Sequence, residues 1–184
     1  ADSHFELPLV EHPPELLRER EFLPFRAAIA AGVATIMTAH VFIPALDETE
    51  PATLSKKVVT GLLREELGFQ GVIISDDLEM KALANDHAVP DSTLQAIEAG
   101  CDAVLICSGN HDVQAAALEA LIRRVESDRA FEKRVGDALA RNRRAKERFL
   151  GAGVGAAPLS RSALRLVLGQ DAHRRTADEM ARFA

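Results

Sequence analysis

The run Gly71-Val72-Ile73-Ile74-Ser75-Asp76-Asp77 constrains this chain more than any other segment. Three β-branched residues in succession favour extended backbone. The apolar run is continuous rather than alternating, as expected of a parallel strand covered on both faces. Two further segments read the same way: Val33 to Val41, through Thr35-Ile36-Met37-Thr38, and Ala103-Val104-Leu105-Ile106-Cys107. Helical patterns separate them, so β–α units recur about every 35 residues, as in a (β/α) barrel or a doubly wound sheet. Three strands cannot close a barrel, which takes about eight. The expectation is therefore α/β: a small open sheet, or the back part of a barrel.

The intervening segments carry their own start and stop signals. Pro13 and Pro14 open a helix, Phe25, Ala28 and Ile29 continue at helical spacing, and Gly32 closes it. Ser55 reads as the N-cap of a helix carrying Val58, Val59, Leu62, Leu63 and Leu67, closed by Gly68. A helix is expected over Ser92 to Ala99, ending at Gly100, with Leu94 and Ile97 inward. Two more are expected over 112–127 and 131–149, the first with Ala116, Ala117 and Leu121 inward, the second with Val135, Leu139 and Phe149 as its apolar line. Gly151 to Pro158 is Gly/Ala-rich and uncharged, a linker by composition. Short helices are expected from Ser160 to Leu168 and from Asp171 to Phe183. The expected division is residues 1–150 as the α/β part and 151–184 as linker and short helical segment.

At 184 residues and 47% hydrophobic content the chain can bury a real core, which excludes a disordered or collagen-like class. No stretch reaches the roughly 18 apolar residues a membrane span needs. A net charge of −6 argues against general nucleic-acid binding. Cys101 and Cys107 would lie about 20 Å apart on a strand, too far for a disulfide. Unpaired thiols suit a reducing, cytoplasmic setting. Ala1 is not an initiator Met and no signal precedes it, so a processed, cut or excerpted piece is expected.

The chemistry-bearing candidates are few. A carboxylate directly after Val72-Ile73-Ile74 leaves a dry strand at its C-terminal end, where α/β sites form. Neighbouring strand residues point to opposite sides, so Asp76 and Asp77 do not share one task, and alternation alone leaves open which faces the site. The competing reading is an N-cap pair for Leu78-Glu79-Met80. His40 holds the equivalent place after the first strand; a buried histidine satisfied by its neighbours is expected there, with a substrate contact as the alternative. Asp2, Ser3 and His4 contain the letters of a nucleophilic triad, but a triad is assembled in space and not in a tripeptide. His87, His111 and His173 read as solvated. Arg141, Arg143, Arg144, Lys146 and Arg148 lack interleaved aromatics and read as a solvated helix face rather than a nucleic-acid surface. No metal-ligand spacing, GxGxxG or P-loop is present, so no cofactor is expected.

Four segments taken together resemble one family. They are Phe25-Arg26-Ala27-Ala28-Ile29 with Ile36-Met37-Thr38-Ala39-His40-Val41; Pro51-Ala52-Thr53-Leu54-Ser55; Leu67-Gly68-Phe69-Gln70-Gly71-Val72-Ile73-Ile74-Ser75-Asp76-Asp77-Leu78-Glu79-Met80; and Ala99-Gly100-Cys101-Asp102-Ala103-Val104-Leu105-Ile106-Cys107. In this order and spacing, over residues 2–150, the chain resembles the family-3 glycoside hydrolases of the β-N-acetylhexosaminidase branch. The third segment carries the hallmark.

The resemblance implies a (β/α)8 TIM-type barrel, of which this chain would hold about the last three β/α units plus C-terminal helices. It implies a retaining glycosidase removing terminal N-acetylglucosamine-type residues, in cytoplasmic muropeptide recycling. Asp76 takes the position of the family's nucleophile, and Asp77 then becomes structural, bonding amides of the turn. The Lys-His-Phe-Pro-Gly-His-Gly-Asp-Thr-like loop that carries the family's acid/base histidine has no counterpart here. The acid/base and most sugar contacts are therefore expected upstream, on a segment of the same enzyme acting as partner, and the chain alone is expected to be inactive and prone to aggregate. The alternative is a non-catalytic α/β binding or assembly module.

Overall fold

A computed structural model describes residues 2–150 and 160–182. The chain divides into two compact units, Ala1–Glu147 and Arg148–Ala184. The division falls inside the last long helix, and the linker-like stretch Gly151 to Pro158 lies outside the described residues.

The first unit is built on three parallel strands in the order β1-β2-β3: β1 Thr35–Met37, β2 Val72–Asp77 and β3 Ala103–Leu105. Thr35, Ile36 and Met37 stand opposite Val72, Ile73 and Ile74. β1 is shorter than the run Val33 to Val41, because beyond Met37 only one further bond, Thr38 N–H to the Ile74 carbonyl, continues the ladder. Between β2 and β3 the register shifts after Ile74, and the Ser75 hydroxyl accepts the Leu105 N–H at 3.1 Å, filling the gap in the ladder.

Helices cover one face of this sheet. Pro14–Leu16 (α1) runs into a π-type turn, Leu17–Glu21, and then into α2 (Leu23–Ala30). Lys57–Glu66 is a π-type helix, wound wider than the expected α-helix, with Leu67 N–H reaching back five residues to Leu62. Val58, Val59, Thr60 and Gly61 in succession supply poor α-formers there. Next come α3 (Lys81–Ala84) and α4 (Val89–Ala99). The latter starts three residues before Ser92 because Pro90 suits a first helical turn. The unit ends with α5 (His111–Ser127) and α6 (Arg129–Leu150). Ile36 and Ile73 point from the sheet into the core, where they meet Leu54, Val59, Leu63, Phe69, Leu83 and Cys101. Before β2 the backbones close in: a Cβ on Gly71 would sit 2.5 Å from the Ala34 carbonyl oxygen, so only glycine fits.

Three packing expectations are corrected. Ala116 is exposed, and Ala117 is the fully buried residue of α5. On α6, Leu139 and Phe149 are exposed; Phe131 and Ala138 are the residues it buries. Arg141 is not part of a solvated face, since it reaches the carboxylate of Asp102 at 3.5 Å with its side chain only 22% exposed.

Both borders of the sheet carry apolar gaps. At the β1 border a cavity of about 410 Å³ is lined by Leu17, Phe22, Phe25, Ile36, Met37 and Leu63. At the β3 border one of about 510 Å³ is lined by Ile97, Ala103, Leu121, Ile122 and Val135. The second unit holds α7 (Arg161–Val167), capped by the Ser160 hydroxyl on the Ala163 N–H, and α8 (Asp171–Ala181).

The loop after β1 is locked by one carboxylate. Asp47 accepts the Ser55 hydroxyl at 2.6 Å and the Thr49 hydroxyl at 2.9 Å, with Lys57 at 3.4 Å. Ser55 in turn caps the π-type helix, accepting the Val58 N–H. Burial alone would raise the Asp47 pKa, but the bonds from Ser55 and Thr49 and the Lys57 charge outweigh it and hold it at about 2, below an ordinary 3.8. A depressed folded pKa contributes stability that is complete above pH ~5 and is lost as the pH falls towards 2. Asp47 should therefore account for up to about 2 kcal/mol of acid destabilisation. Urea midpoints at pH 7 and pH 3 should differ less for Asp47→Asn than for the wild type; equal differences would remove this role.

Candidate active site

The C-terminal end of β2 delivers two carboxylates with different surroundings. Asp76 is half-buried, two residues past Ile74, whose partner across the ladder is the exposed Met37 of β1. Its Oδ1 accepts the N–H of Asp77 at 2.8 Å. Among the described residues its Oδ2 accepts no hydrogen bond, so one oxygen is held and the other is free. Asp77 is spent on architecture. Its Oδ1 accepts the Glu79 N–H at 3.1 Å and the Cys107 N–H at 3.2 Å, tying the loop after β2 to the end of β3. Glu79 repeats the tie, taking the Ser108 N–H at 2.7 Å and the Ser108 hydroxyl at 2.6 Å. Those two bonds keep the Glu79 carboxyl below its usual pKa.

His40 is fully buried at the end of the β1 segment and has partners on both ring nitrogens, Thr53 Oγ1 and the Asp77 carbonyl, each at 2.9 Å. A satisfied buried histidine is what the sequence led us to expect. Cys101 is buried and Cys107 exposed, both as free thiols. Burial pushes the Cys101 thiol up to about 12, so it is inert at neutral pH.

One arrangement was not foreseen. Asp2 and His4 do meet, as a pair rather than a triad. The Asp2 carboxylate accepts the His4 backbone N–H at 3.0 Å and faces the ring Nδ1 at 2.7 Å. The backbone amide and then the ring bond keep the Asp2 carboxyl below its ordinary value. This is an Asx-turn, closed further by Phe5 and Glu6 N–H on the Asp2 carbonyl. An aspartate two residues before a histidine was the signal available in the sequence.

The turn is anchored next to the carboxylate end of β2. The Ser3 carbonyl accepts the Ala82 N–H at 3.3 Å, and Lys81 lies over the Phe5 ring. Farther on, the chain pairs with the segment after β1, Phe42 N–H to Pro8 and Val10 N–H to Phe42. Residues 2–10 therefore run between the segments that leave β2 and β1. The His4 side chain is 71% exposed.

The large apolar cavity at the β1 border does not include Asp76 in its lining and is a packing feature, not the site. Among the described residues no cluster of three or more His, Cys, Asp or Glu could hold a metal. None of the described helices is long and apolar enough to cross a membrane.

Comparison with known proteins bears on this geometry. Residues 1–145 match the family described as glycosyl hydrolase family 3 N terminal domain. A beta-hexosaminidase of Nitrosomonas eutropha is 42% identical over 108 residues, 59% of this chain and 31% of that protein. Beta-hexosaminidase A of Pseudoalteromonas piscicida is 33% identical over 201 residues, covering 98% of this chain and 32% of its own. The solved family 3 β-N-acetylglucosaminidase of a Paenibacillus species superposes with a TM-score of 0.81 at 44% identity, over 87% of this chain and 31% of its own. The chain thus spans about a third of the length of the curated relatives it matches. A family match over residues 1–145, with similar sequence and similar backbone, establishes that this chain belongs to glycoside hydrolase family 3, within its N-terminal domain.

Proposed function

We propose that this chain is the C-terminal part of a (β/α)8 barrel in a retaining β-N-acetylhexosaminidase, acting on glycosides that end in N-acetylglucosamine-type sugars. One observation carries the reading: a carboxylate with one tethered and one free oxygen, at the C-terminal end of the central parallel strand, in a chain of this family. The apolar gaps at both borders of the sheet support further β/α units of the same protein closing the ring on each side. Recycling of cell-wall muropeptides in the cytoplasm is the setting this substrate class suggests.

In this reading the free Oδ2 of Asp76 attacks the anomeric carbon, and the glycosidic oxygen leaves. A proton must reach that oxygen as its bond to carbon breaks. The sequence placed the donor upstream; the Asp2–His4 pair offers one inside the chain. With Nδ1–H held by the Asp2 carboxylate, the imidazolium form of His4 carries its second proton on Nε2, which passes to the leaving oxygen and leaves the neutral ring. In the second half Nε2 takes a proton from water, the water oxygen bonds to the anomeric carbon, and the bond to Asp76 breaks with net retention.

The test uses the complete protein that contains residues 1–184. His4→Ala should lower kcat/KM by about 10²–10⁴-fold for an alkyl N-acetylglucosaminide, whose leaving group needs the proton. It should lower it far less for a 4-nitrophenyl glycoside. Equal losses on both would remove His4 from proton transfer, and no hydrolysis of either by the wild type would favour a non-catalytic module. The 184 residues alone are expected to show no turnover.

A further inference from the structure

We propose that His40 is a positioning residue for the Asp76 carboxylate, acting through the backbone of Asp77. The inference deepens the reading of Asp76 as nucleophile and rests on it.

The argument starts from the ring nitrogens. A carbonyl oxygen only accepts, so the contact from Nε2 to the Asp77 carbonyl at 2.9 Å places a hydrogen on Nε2. Burial pushes the His40 pKa down, offset only in part by the Asp77 carbonyl and the charges of Asp76 and Asp77, so the ring is neutral near pH 7. Nδ1 is then an acceptor facing the Thr53 hydroxyl at 2.9 Å, whose one hydrogen it shares with the Ala39 carbonyl at 3.1 Å. Thr53 Oγ1 in turn lies 2.9 Å from the Thr38 hydroxyl. A chain of hydrogen bonds therefore runs from Thr38, just past β1, to the backbone of Asp77, the residue after the proposed nucleophile.

Residue 77 is pinned from every side. Its N–H is given to Asp76 Oδ1 at 2.8 Å, its carbonyl accepts both His40 Nε2 at 2.9 Å and the Met80 N–H at 3.0 Å, and its carboxylate accepts the Cys107 and Glu79 amides. The Asp76 carboxylate takes its orientation from that N–H, so whatever fixes residue 77 aims the free Oδ2. His40 supplies the hold from the β1 side, and Cys107 the hold from the β3 side. An aliphatic residue would fill the His40 site with no polar group to satisfy, whereas the imidazole there uses both nitrogens in directed bonds. Misaiming of a reacting group by about 1 Å costs up to about 10²-fold in rate.

The experiment compares His40→Leu, His40→Gln and Thr53→Val in the complete protein, with kcat expressed per active site titrated by a mechanism-based 5-fluoro glycosyl fluoride. His40→Leu should lower kcat about 30-fold with KM within about twofold. His40→Gln, whose amide N–H can reach the carbonyl, should recover to within about fivefold of wild type. Should His40→Leu fail to fold, Thr53→Val decides: kcat should fall about fivefold with KM little changed, while ¹⁵N spectra keep the Nε2–H tautomer that the Asp77 carbonyl holds, and an unchanged kcat would overturn the proposal. An unchanged kcat per titrated site in His40→Leu, a Gln variant as slow as the Leu variant, or a wild-type ring protonated on Nδ1 would each overturn the proposal. Label found on a residue other than Asp76 in the wild type overturns the nucleophile reading itself. Label on Asp76 at the wild-type rate in His40→Leu overturns only the positioning role.

Discussion

Asp76→Ala in the complete protein is expected to lower kcat for an aryl β-N-acetylglucosaminide by at least about 10⁴-fold with little change in fold, because it removes the atom that forms the covalent bond. The structural cost is small. Asp76 makes one hydrogen bond, to the next residue's own amide, and its side chain takes no part in the core. Azide should then restore turnover, entering the space the carboxylate vacates and attacking the face Asp76 would have attacked. Since it cannot be displaced as a carboxylate is, the product should be the α-glycosyl azide. A β-azide, or a variant within about tenfold of wild type, would mean that another group forms the intermediate. Asp77→Ala gives the contrasting profile: it loses the Cys107 and Glu79 bonds and should show a stability defect together with any rate defect.

The second large effect is structural and lies at the opposite end of the strands. Asp102 has a side chain with no exposure, and its Oδ2 accepts the N–H of Ile73 at 3.0 Å and the guanidinium of Arg64. Its Oδ1 accepts Arg134 at 2.7 Å, with Arg141 at 3.5 Å. Arg64 also binds the carbonyls of Phe69 and Gly71, and Arg134 those of Ile97, Gly100 and Cys101. One carboxylate therefore joins β2, the π-type helix, the end of α4 and α6. Removing it leaves three arginines partly buried around a neutral space, and breaking a buried pair from one side costs about 3–5 kcal/mol. Asp102→Ala should lose that amount in urea unfolding, or fail to accumulate as folded protein. Glu119→Ala, which breaks an exposed pair with Arg123, should lose under about 0.5 kcal/mol. A loss below 1 kcal/mol at Asp102 would show that the network is not what holds the strands to the helices.

Some of this was legible in the residues and some was not, for physical reasons. The three strands and their parallel pairing follow from short β-branched runs separated by helical spacing, and the sheet has that order. The end of the Val72-Ile73-Ile74 strand narrowed the choice to Asp76 and Asp77, with an N-cap pair as the competing reading, and the family resemblance rather than the local pattern singled out Asp76. The same local reading failed for Arg141. Its partner is 39 positions away in sequence, and a run of basic residues gives no sign of which one turns inward. It failed for Leu139 as well, since helical periodicity finds a stripe but not the few degrees of rotation that decide which side of it is covered. The Asp2–His4 pair was passed over because adjacency was weighed against a three-residue relay. An Asx-turn needs only two residues, at the spacing they have. The wide winding of Lys57–Glu66 was not legible in its residues, whose apolar spacing reads as an ordinary α-helix.

The most direct measurement is where the sugar attaches. The complete protein would be inactivated with a 5-fluoro glycosyl fluoride of N-acetylglucosamine, digested, and its labelled peptide sequenced by mass spectrometry. A single glycosyl adduct on the carboxylate of Asp76 is the predicted result. Stoichiometric adduct on another residue, or rapid turnover with no trappable adduct at all, would contradict it.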